Sequence, residues 1–455
     1  MDLDCVLRGA TVVFPEIGAR PADIAVRDGR IAGILSPGEA APSARAVIDV
    51  TGKHVFPGTM DAHLHFGFAE PVEEYRTETA SAAIGGHTTV LAHLMNSEPY
   101  ADVFEERLGQ CAERAHVDFG FHFSTAAEVH LDEFPKLVED CGVTSFKYFM
   151  NFKGEEGRYM GLAGTDEGFM YDLMRTAAGF PQVVQCIHPE NIELVNRFKW
   201  RAMEQGLDSL KDYCLTKPAF TETENIVRAM VYAEHLGTTI YFVHVSCASG
   251  VDEIRRYRER YGRIFVETCP HYLTHTMDTD LGSLGKANPP LRTAEDVEAL
   301  WNALADGTVD VVGSDHVPRQ RAAKDKNIWQ AAQGFPGTAT ILPVLLSEGH
   351  HKRGLRLERI AELVSAAPAR IFGLAARKGH LGVGADADLT VVDLDLEKTC
   401  RAEDLLSYAD YSPYDGWTFK GWPVMTMVRG TVVMRDGELV GRPGHGDYLR
   451  RPLAR

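Results

Sequence analysis

Eight segments rich in β-branched and aromatic residues recur through the middle of the chain, separated by longer stretches that are apolar at helical spacing. In order they are HVFPGTMDAHLHF, TTVLAHLMN, VDFGFHFSTAA, TSFKYFMNF, PQVVQCIHPE, TTIYFVHVS, RIFVETCPHYL and TVDVVGSDH. Between them, segments such as EEYRTETASAAIGG, ENIVRAMVYAEHLG and TAEDVEALWNALADG carry apolar residues three and four apart and end near glycine, the pattern of amphipathic helices. Eight β-α alternations over about 320 residues match a (β/α)8 barrel, so the expected class is α/β. An open doubly wound sheet is the competing arrangement. A barrel gathers its chemistry where its strands end, and candidate residues are sought there.

The two ends of the chain differ from this middle. LRGATVVF and DIAVRDGRIAGI are short β-rich runs, the second broken by Asp28-Gly29; near the other end MTMVRGTVVMRDGELVG repeats the device at Asp436-Gly437. An Asp-Gly pair between apolar runs is a strong hairpin signal. Residues 1–54 and 378–455 are therefore expected to build one small β-sandwich domain, with residues 55–377 forming the barrel. The Gly-rich stretch NFKGEEGRYMGLAGTD after the fourth strand reads either as a mobile lid or as a plain surface loop. The polar tail from Arg442 is expected to be ordered only by docking.

Composition removes several classes of function. The formal charge is −17 and no Lys/Arg block interrupts the acidic balance, so nucleic acid is not an expected partner. No run approaches the ~18–20 apolar residues of a membrane span, and the start, MDLDCVLRG, lacks a basic segment followed by an apolar one, so no membrane partner is expected. The 8 cysteines are scattered without a C-x-x-C pair, which suits buried, reduced thiols and a cytoplasmic location.

His63 and His65 flank one residue at the end of the first strand segment, in DAHLH. Residues i and i+2 of a strand share a face, so both imidazoles can reach one ion. Satisfied core histidines are the alternative. Other strand ends carry Lys147 in SFKYF, His188 in QCIHPEN, His244 in FVHVS and Asp315 in GSDHVP; in a barrel these converge at one rim although they are far apart in sequence. Lys147 is the odd member, because an ammonium repels a metal and is costly to bury. By itself it would read as a lysine paired with a carboxylate. Beside a dinuclear cation its pKa should fall, and the neutral amine can take up CO2 to become a carbamate, an anion with two oxygens able to bridge two metals.

With its strand positions, this constellation resembles the amidohydrolase superfamily, and within it the cyclic amidohydrolases: hydantoinases, dihydropyrimidinases, allantoinases and dihydroorotases. The likeness runs from PGTMDAHLH through SFKYFM, VETCPHYL, NPPLR, SDHVP and GFPG to YSPYDGW and GHGDYLRR. It implies that His63, His65, carboxylated Lys147 and Asp315 bind one metal while Lys147, His188 and His244 bind the other. Two Zn2+ per chain are the usual complement, although the ligands would also accept manganese, cobalt or iron. The implied reaction is attack of a metal-bridging hydroxide on a ring carbonyl, with Asp315 carrying the proton to the departing amide nitrogen. The implied substrate is a small cyclic amide of hydantoin or dihydropyrimidine type, and the implied assembly a homo-oligomer, tetramer or dimer.

Departures from the family pattern narrow the substrate. Dihydroorotases usually carry an arginine two positions after the second metal histidine, where this chain has Gly67. The hydantoinase pattern has an oxyanion-binding tyrosine five residues after the lysine, and here that residue is Phe152; Tyr159 or Asn151 could substitute. Asn288 before Pro289-Pro290 and Gln333 before Gly334-Phe335-Pro336-Gly337 match positions that hold the ring amide, turn formation being their other reading. The Trp329 segment KNIWQAAQGFPG leans toward allantoinase-like or imide-opening members. His271, His275 and His316 are expected to support the site rather than ligate. The rival classes are a non-catalytic dihydropyrimidinase-like scaffold and a deaminase on the same barrel.

Overall fold

In the computed structural model of the chain, residues 2–39, 43–67, 69–159, 161–162 and 164–451 are described, apart from the side chains at 154, 155 and 159. The N-terminal segment forms β1 (Leu3–Phe14), β2 (Gly18–Arg27), β3 (Arg30–Leu35), β4 (Ala44–Asp49) and β5 (His54–Pro57). Asp28 and Gly29 take left-handed φ values of 52° and 70° between β2 and β3, as a two-residue turn matched to strand twist requires. The middle supplies β6 (Thr59–His65), β7 (His87–Leu94), β8 (Asp118–Ser124), β9 (Ser145–Phe149), β10 (Val184–His188), β11 (Thr239–Phe242), β12 (Ile264–Thr268) and β13 (Val311–Val312). The last strands are β14 (Leu389–Thr399), β15 (Thr418–Val428), β16 (Thr431–Arg435) and β17 (Glu438–Leu439), the final pair joined by the Asp436-Gly437 turn.

Among the described residues these strands make two sheets. β6 to β13 lie in sequence order in an eight-stranded sheet, each paired parallel with its neighbour. The ring is closed by backbone just beyond the short β13: the His65 N–H donates to His316 O at 2.9 Å. Helices Pro71–Ile84, Phe220–Leu236 and Ala294–Asp306 lie where the helical periodicity predicts. The last begins with a reciprocal capping box between Thr293 and Asp296 and ends at Gly307, φ 89°, so its boundaries are written locally.

The other nine strands form one sheet in which β5 joins the two ends of the chain, running parallel to β1 and antiparallel to β14. HVFPGTMDAHLHF is therefore two strands. His54–Pro57 belongs to the terminal sheet, past the boundary expected at residue 54, and Thr59–His65 to the barrel. Gly58 separates them where a Cβ would come within 2.5 Å of Asp388 Cβ, a close approach that only glycine permits.

The floor of the barrel is filled and polar groups tie it down. Met60, Leu91, Val184, Tyr241 and Val311 pack with Ile371, Phe372 and Leu449. The tail docks as expected: the Leu449 N–H donates to Phe119 O at 2.7 Å, and the buried Arg451 guanidinium reaches Ser145 Oγ at 2.6 Å and Phe121 O. Beside it, Lys378 Nζ meets Asp118, Asp386 and Asp388 at 2.5, 3.0 and 2.6 Å. All eight cysteines are buried and unpaired. Among the described residues, no helix is long and apolar enough to cross a membrane.

Candidate metal centre

β6 carries His63 and His65 on one face, and the loop after β13 brings Asp315 against them. Asp315 Oδ1 lies 3.2 Å from His63 Nε2 and 3.2 Å from His65 Nε2, and the three ligand atoms fall within 4.8 Å of one another. Donors about 2.0–2.1 Å from a tetrahedral ion stand roughly 3.3 Å apart, so these spacings fit a shared cation. The Lys147 Nζ from β9 is 3.5 Å from His63 Nε2. His188, at the end of β10, and His244, just past β11, pack ring to ring with centroids 4.5 Å apart, and His244 lies 5.5 Å from His63. All six residues are buried.

Burial sets their charge states. Desolvation holds His63 and His244 well below the usual imidazole range and lowers His65 and His188, so their lone pairs are free of protons. Desolvation also brings the Lys147 ammonium down to about 8, against the opposing pull of Asp315. The His244 Nδ1 has no hydrogen-bond partner among the described residues. Neutral imidazoles, a carboxylate at ligand spacing and an orphaned buried nitrogen fit a metal. A second acidic group, Asp118, Asp386 and Asp388, also has ligand spacing; there the Lys378 ammonium and Arg429 already supply the positive charge.

Two of these positions are held in uncommon backbone. His244 and Asp315 take φ of 41° and 48°, in the left-handed region that non-glycine residues rarely occupy and that costs about 1–3 kcal/mol. The surrounding hydrogen bonds over-determine them. Ser314 donates from its backbone N–H, at 3.1 Å, and from its hydroxyl, at 2.5 Å, to Asp61. The His244 N–H donates to Glu267 Oε1 at 3.0 Å.

Sequence reasoning missed the carboxylates that aim the imidazoles. Glu267 on β12 sits 2.6 Å from His63 Nδ1 and also accepts from Tyr241 Oη at 2.7 Å; burial raises its pKa to about 8. Glu190 takes the same role for His188 Nε2 at 2.7 Å and is itself met by Lys217 Nζ at 3.0 Å. Lys217 and His188 drive the Glu190 carboxyl down to about 2 against its burial. Glu190 follows His188 by two residues, a signal the sequence does contain.

Five of the six residues border a cavity of about 620 Å3 of atom-free space, mouth included, which is lined also by Asn151, Phe152, Asn288 and Gln333 and by Met95, Phe149, Val317 and Arg319; His63 is not among its lining. Phe152 stacks on Phe149 at 4.3 Å. Asn288 Nδ2 donates to Gln333 Oε1, and Tyr213 Oη donates to Asn288 Oδ1. The Tyr159 side chain lies outside the described residues. His275 donates to Pro413 O at 2.9 Å, and His316 Nε2 stands 2.7 Å from Glu78 while its Nδ1 accepts from the Gly337 and Thr338 N–H groups. Both are thus engaged away from the group, as expected.

Comparison with known proteins identifies the family and the fold. A model of the amidohydrolase family matches residues 54–433. A D-hydantoinase of Geobacillus stearothermophilus is 34% identical over 94% of this chain and 93% of its own. An allantoinase of Deinococcus radiodurans is 36% identical over 99% of both chains. The crystal structure of dihydropyrimidinase from Brevibacillus agri superimposes with a TM-score of 0.91 over 99% of each chain at 28% identity.

Proposed function

Since the chain belongs to the amidohydrolase family, we propose that it is a hydrolase that opens a small cyclic amide ring of hydantoin or dihydropyrimidine type, adding water across one ring C–N bond. The observation that carries this reading is the group His63, His65 and Asp315 at ligand spacing, of which His65 and Asp315 share a cavity with Lys147, His188 and His244. A hydantoin yields an N-carbamoyl amino acid. Allantoin and cyclic imides are the alternative rings, favoured by the allantoinase relatives and by Phe152 standing where a tyrosine would give an oxyanion donor.

Two divalent ions, zinc on the preference of imidazole and carboxylate donors, would be held by His63, His65, Lys147 and Asp315 and by Lys147, His188 and His244. Bound there, such ions supply Lewis acidity toward a ring carbonyl and an acidified water. The chain's own groups do the rest. Lys147, whose ammonium burial brings down to about 8, keeps a fraction as free amine near neutral pH; that amine would add to CO2, forming an N–C bond and releasing one proton to solvent, and the carbamate would be the form in which Lys147 helps hold both ions. Asp315 accepts the proton of the attacking water and passes it to the leaving ring nitrogen. Asn288 and Gln333 orient the ring amide through their carboxamides, and Phe149, Phe152, Met95 and Val317 exclude bulk water. A homo-oligomer, dimer or tetramer, is the proposed assembly.

The test is a panel of hydantoin, dihydrouracil, allantoin, dihydroorotate and a cyclic imide with metal-replete protein, followed by ring opening. Turnover of at least one member other than dihydroorotate is expected, with about two metal ions per chain by elemental analysis. Protein that binds no metal on addition of zinc and bicarbonate, and opens no ring, is a scaffold, and the reading fails.

A further inference from the structure

Behind Gln333 lies a second, roomier cavity of about 1020 Å3 of atom-free space, mouth included, which shares Gln333 with the reaction cavity. Three lysines, Lys199, Lys217 and Lys286, and one acid, Glu156, line it, although the chain as a whole carries a charge of −17. Two have carboxylate partners: Lys217 meets Glu190 at 3.0 Å and Lys199 meets Glu156 at 3.7 Å. Lys286 has none within ion-pair distance among the described residues. It is only 4% exposed, its Nζ donates to Trp329 O at 3.2 Å, and it lies 5.2 Å from the centre of the Tyr213 ring. A buried ammonium held by a carbonyl and an aromatic face lacks the counter-ion that burial ordinarily demands.

The wall between the two cavities is the hydrogen-bonded chain Tyr213–Asn288–Gln333. Asn288 is held in that chain, its oxygen accepting from Tyr213 and its amide donating to Gln333, which leaves one amide hydrogen and one oxygen lone pair for a ring amide. Lys286 is two residues before Asn288, and Trp329 O, its acceptor, is four residues before Gln333. The residues that border the reacting ring and those that carry the unpaired charge are therefore one continuous structure. Gln333 lines both cavities and is the point at which they meet.

We propose that this second lobe receives a carboxylate carried on the exocyclic arm of the substrate, with Lys286 as its counter-ion. The inference rests on the ring-opening reading above and names its substrate class: cyclic amides with an acidic side arm. Burial lowers the Lys286 pKa to about 8, which leaves most of the ammonium charged at neutral pH, and an entering carboxylate makes a charge-assisted hydrogen bond there.

The experiment compares kcat/KM for 5-(2-carboxyethyl)hydantoin with that for its neutral isostere 5-(2-carbamoylethyl)hydantoin, with 5-methylhydantoin as the armless reference. The acid is expected to exceed the amide by about tenfold or more, mainly through KM. Lys286→Met should bring that ratio toward one and Lys286→Arg should keep most of it, with thermal melting and metal content confirming that both variants fold. A ratio near one in the unaltered protein, or one that survives Lys286→Met, overturns the proposal. So does stimulation of 5-methylhydantoin opening by free propionate without preference for the tethered acid, which would assign the lobe to a separate effector. Opening of 5-methylhydantoin alone leaves the ring-opening reading intact and sinks only this one. If no ring in the substrate panel opens with metal-replete protein, the ring-opening reading itself fails.

Discussion

Glu267 stands 2.6 Å from the Nδ1 of His63, on the side opposite Asp315. An acid side chain hydrogen-bonded in that place holds the ring's orientation and turns its Nε2 toward Asp315, and loss of such a partner typically costs 10–100-fold in metal affinity. Glu267→Ala is expected to weaken zinc binding by about that factor, measured by competition with a chromophoric chelator. Unchanged affinity would mean that the contact does not orient the ring.

Lys147→Ala should lower bound metal from about two ions per chain toward one and reduce kcat by about 10²-fold or more. On the proposed carbamate at Lys147, metal-free protein reloaded in CO2-free buffer should regain activity only when bicarbonate is added. Full reloading without bicarbonate rules out the carbamate.

Phe152 lines the reaction cavity and stacks on Phe149. Phe152→Tyr adds a hydroxyl at the edge of that stack, and a donor aimed at a developing oxyanion is worth about 10²–10³ in kcat. A rise of roughly tenfold or more on hydantoin is the expected result. A fall on every ring of the panel would show that position 152 does not face the reacting carbonyl.

Acid should destabilise the fold through histidines remote from the cavity. Burial lowers His275 to about 4, while it donates to Pro413 O and stacks on Trp417 at 5.0 Å. The unfolded chain takes up a proton near pH 6.5 and the folded one does not, so the stabilisation is complete above about pH 6.5 and declines as pH falls toward about 4, each unit being worth about 1.4 kcal/mol at most. The melting temperature should drop between pH 6.5 and 4.5, and His275→Gln should flatten that slope. A parallel slope in the variant would assign the effect to other groups.

Lys378 joins the barrel floor to the terminal sheet through three buried carboxylates. Removing the ammonium leaves buried negative charge uncompensated, a change that costs about 3–5 kcal/mol. Lys378→Met should lower the denaturation midpoint accordingly while zinc neither binds at nor rescues the vacated position. Rescue by zinc would make the acidic group a metal site after all.

The sequence made the barrel legible because a parallel strand followed by a helix leaves two periodicities in alternation, and eight repeats of them allow few closures. His63 and His65 could be read as a pair because spacing of two is the spacing of one strand face. Glu267 could not be tied to His63 in the same way: it sits on another strand, and which residue faces which across the barrel depends on register and closure. The division at Gly58 was hidden for a similar reason, since the crowding that demands glycine comes from Thr88 on the neighbouring strand and from Asp388, more than three hundred positions later. Lys286 gives no sequence signal at all. Its lack of a counter-ion is a fact about where other carboxylates are not.

The pairing of Pro57 with Leu389 has a consequence for how the protein is made. At about 5–20 residues per second, a ribosome needs roughly a quarter of a minute to a minute to travel from one partner to the other. Throughout that interval the first strands present an open hydrogen-bonding edge with nothing to occupy it. A nascent chain of this design must be shielded or kept dilute until its later half emerges, so yield in a foreign host should depend on chaperone supply and on slow, cool expression.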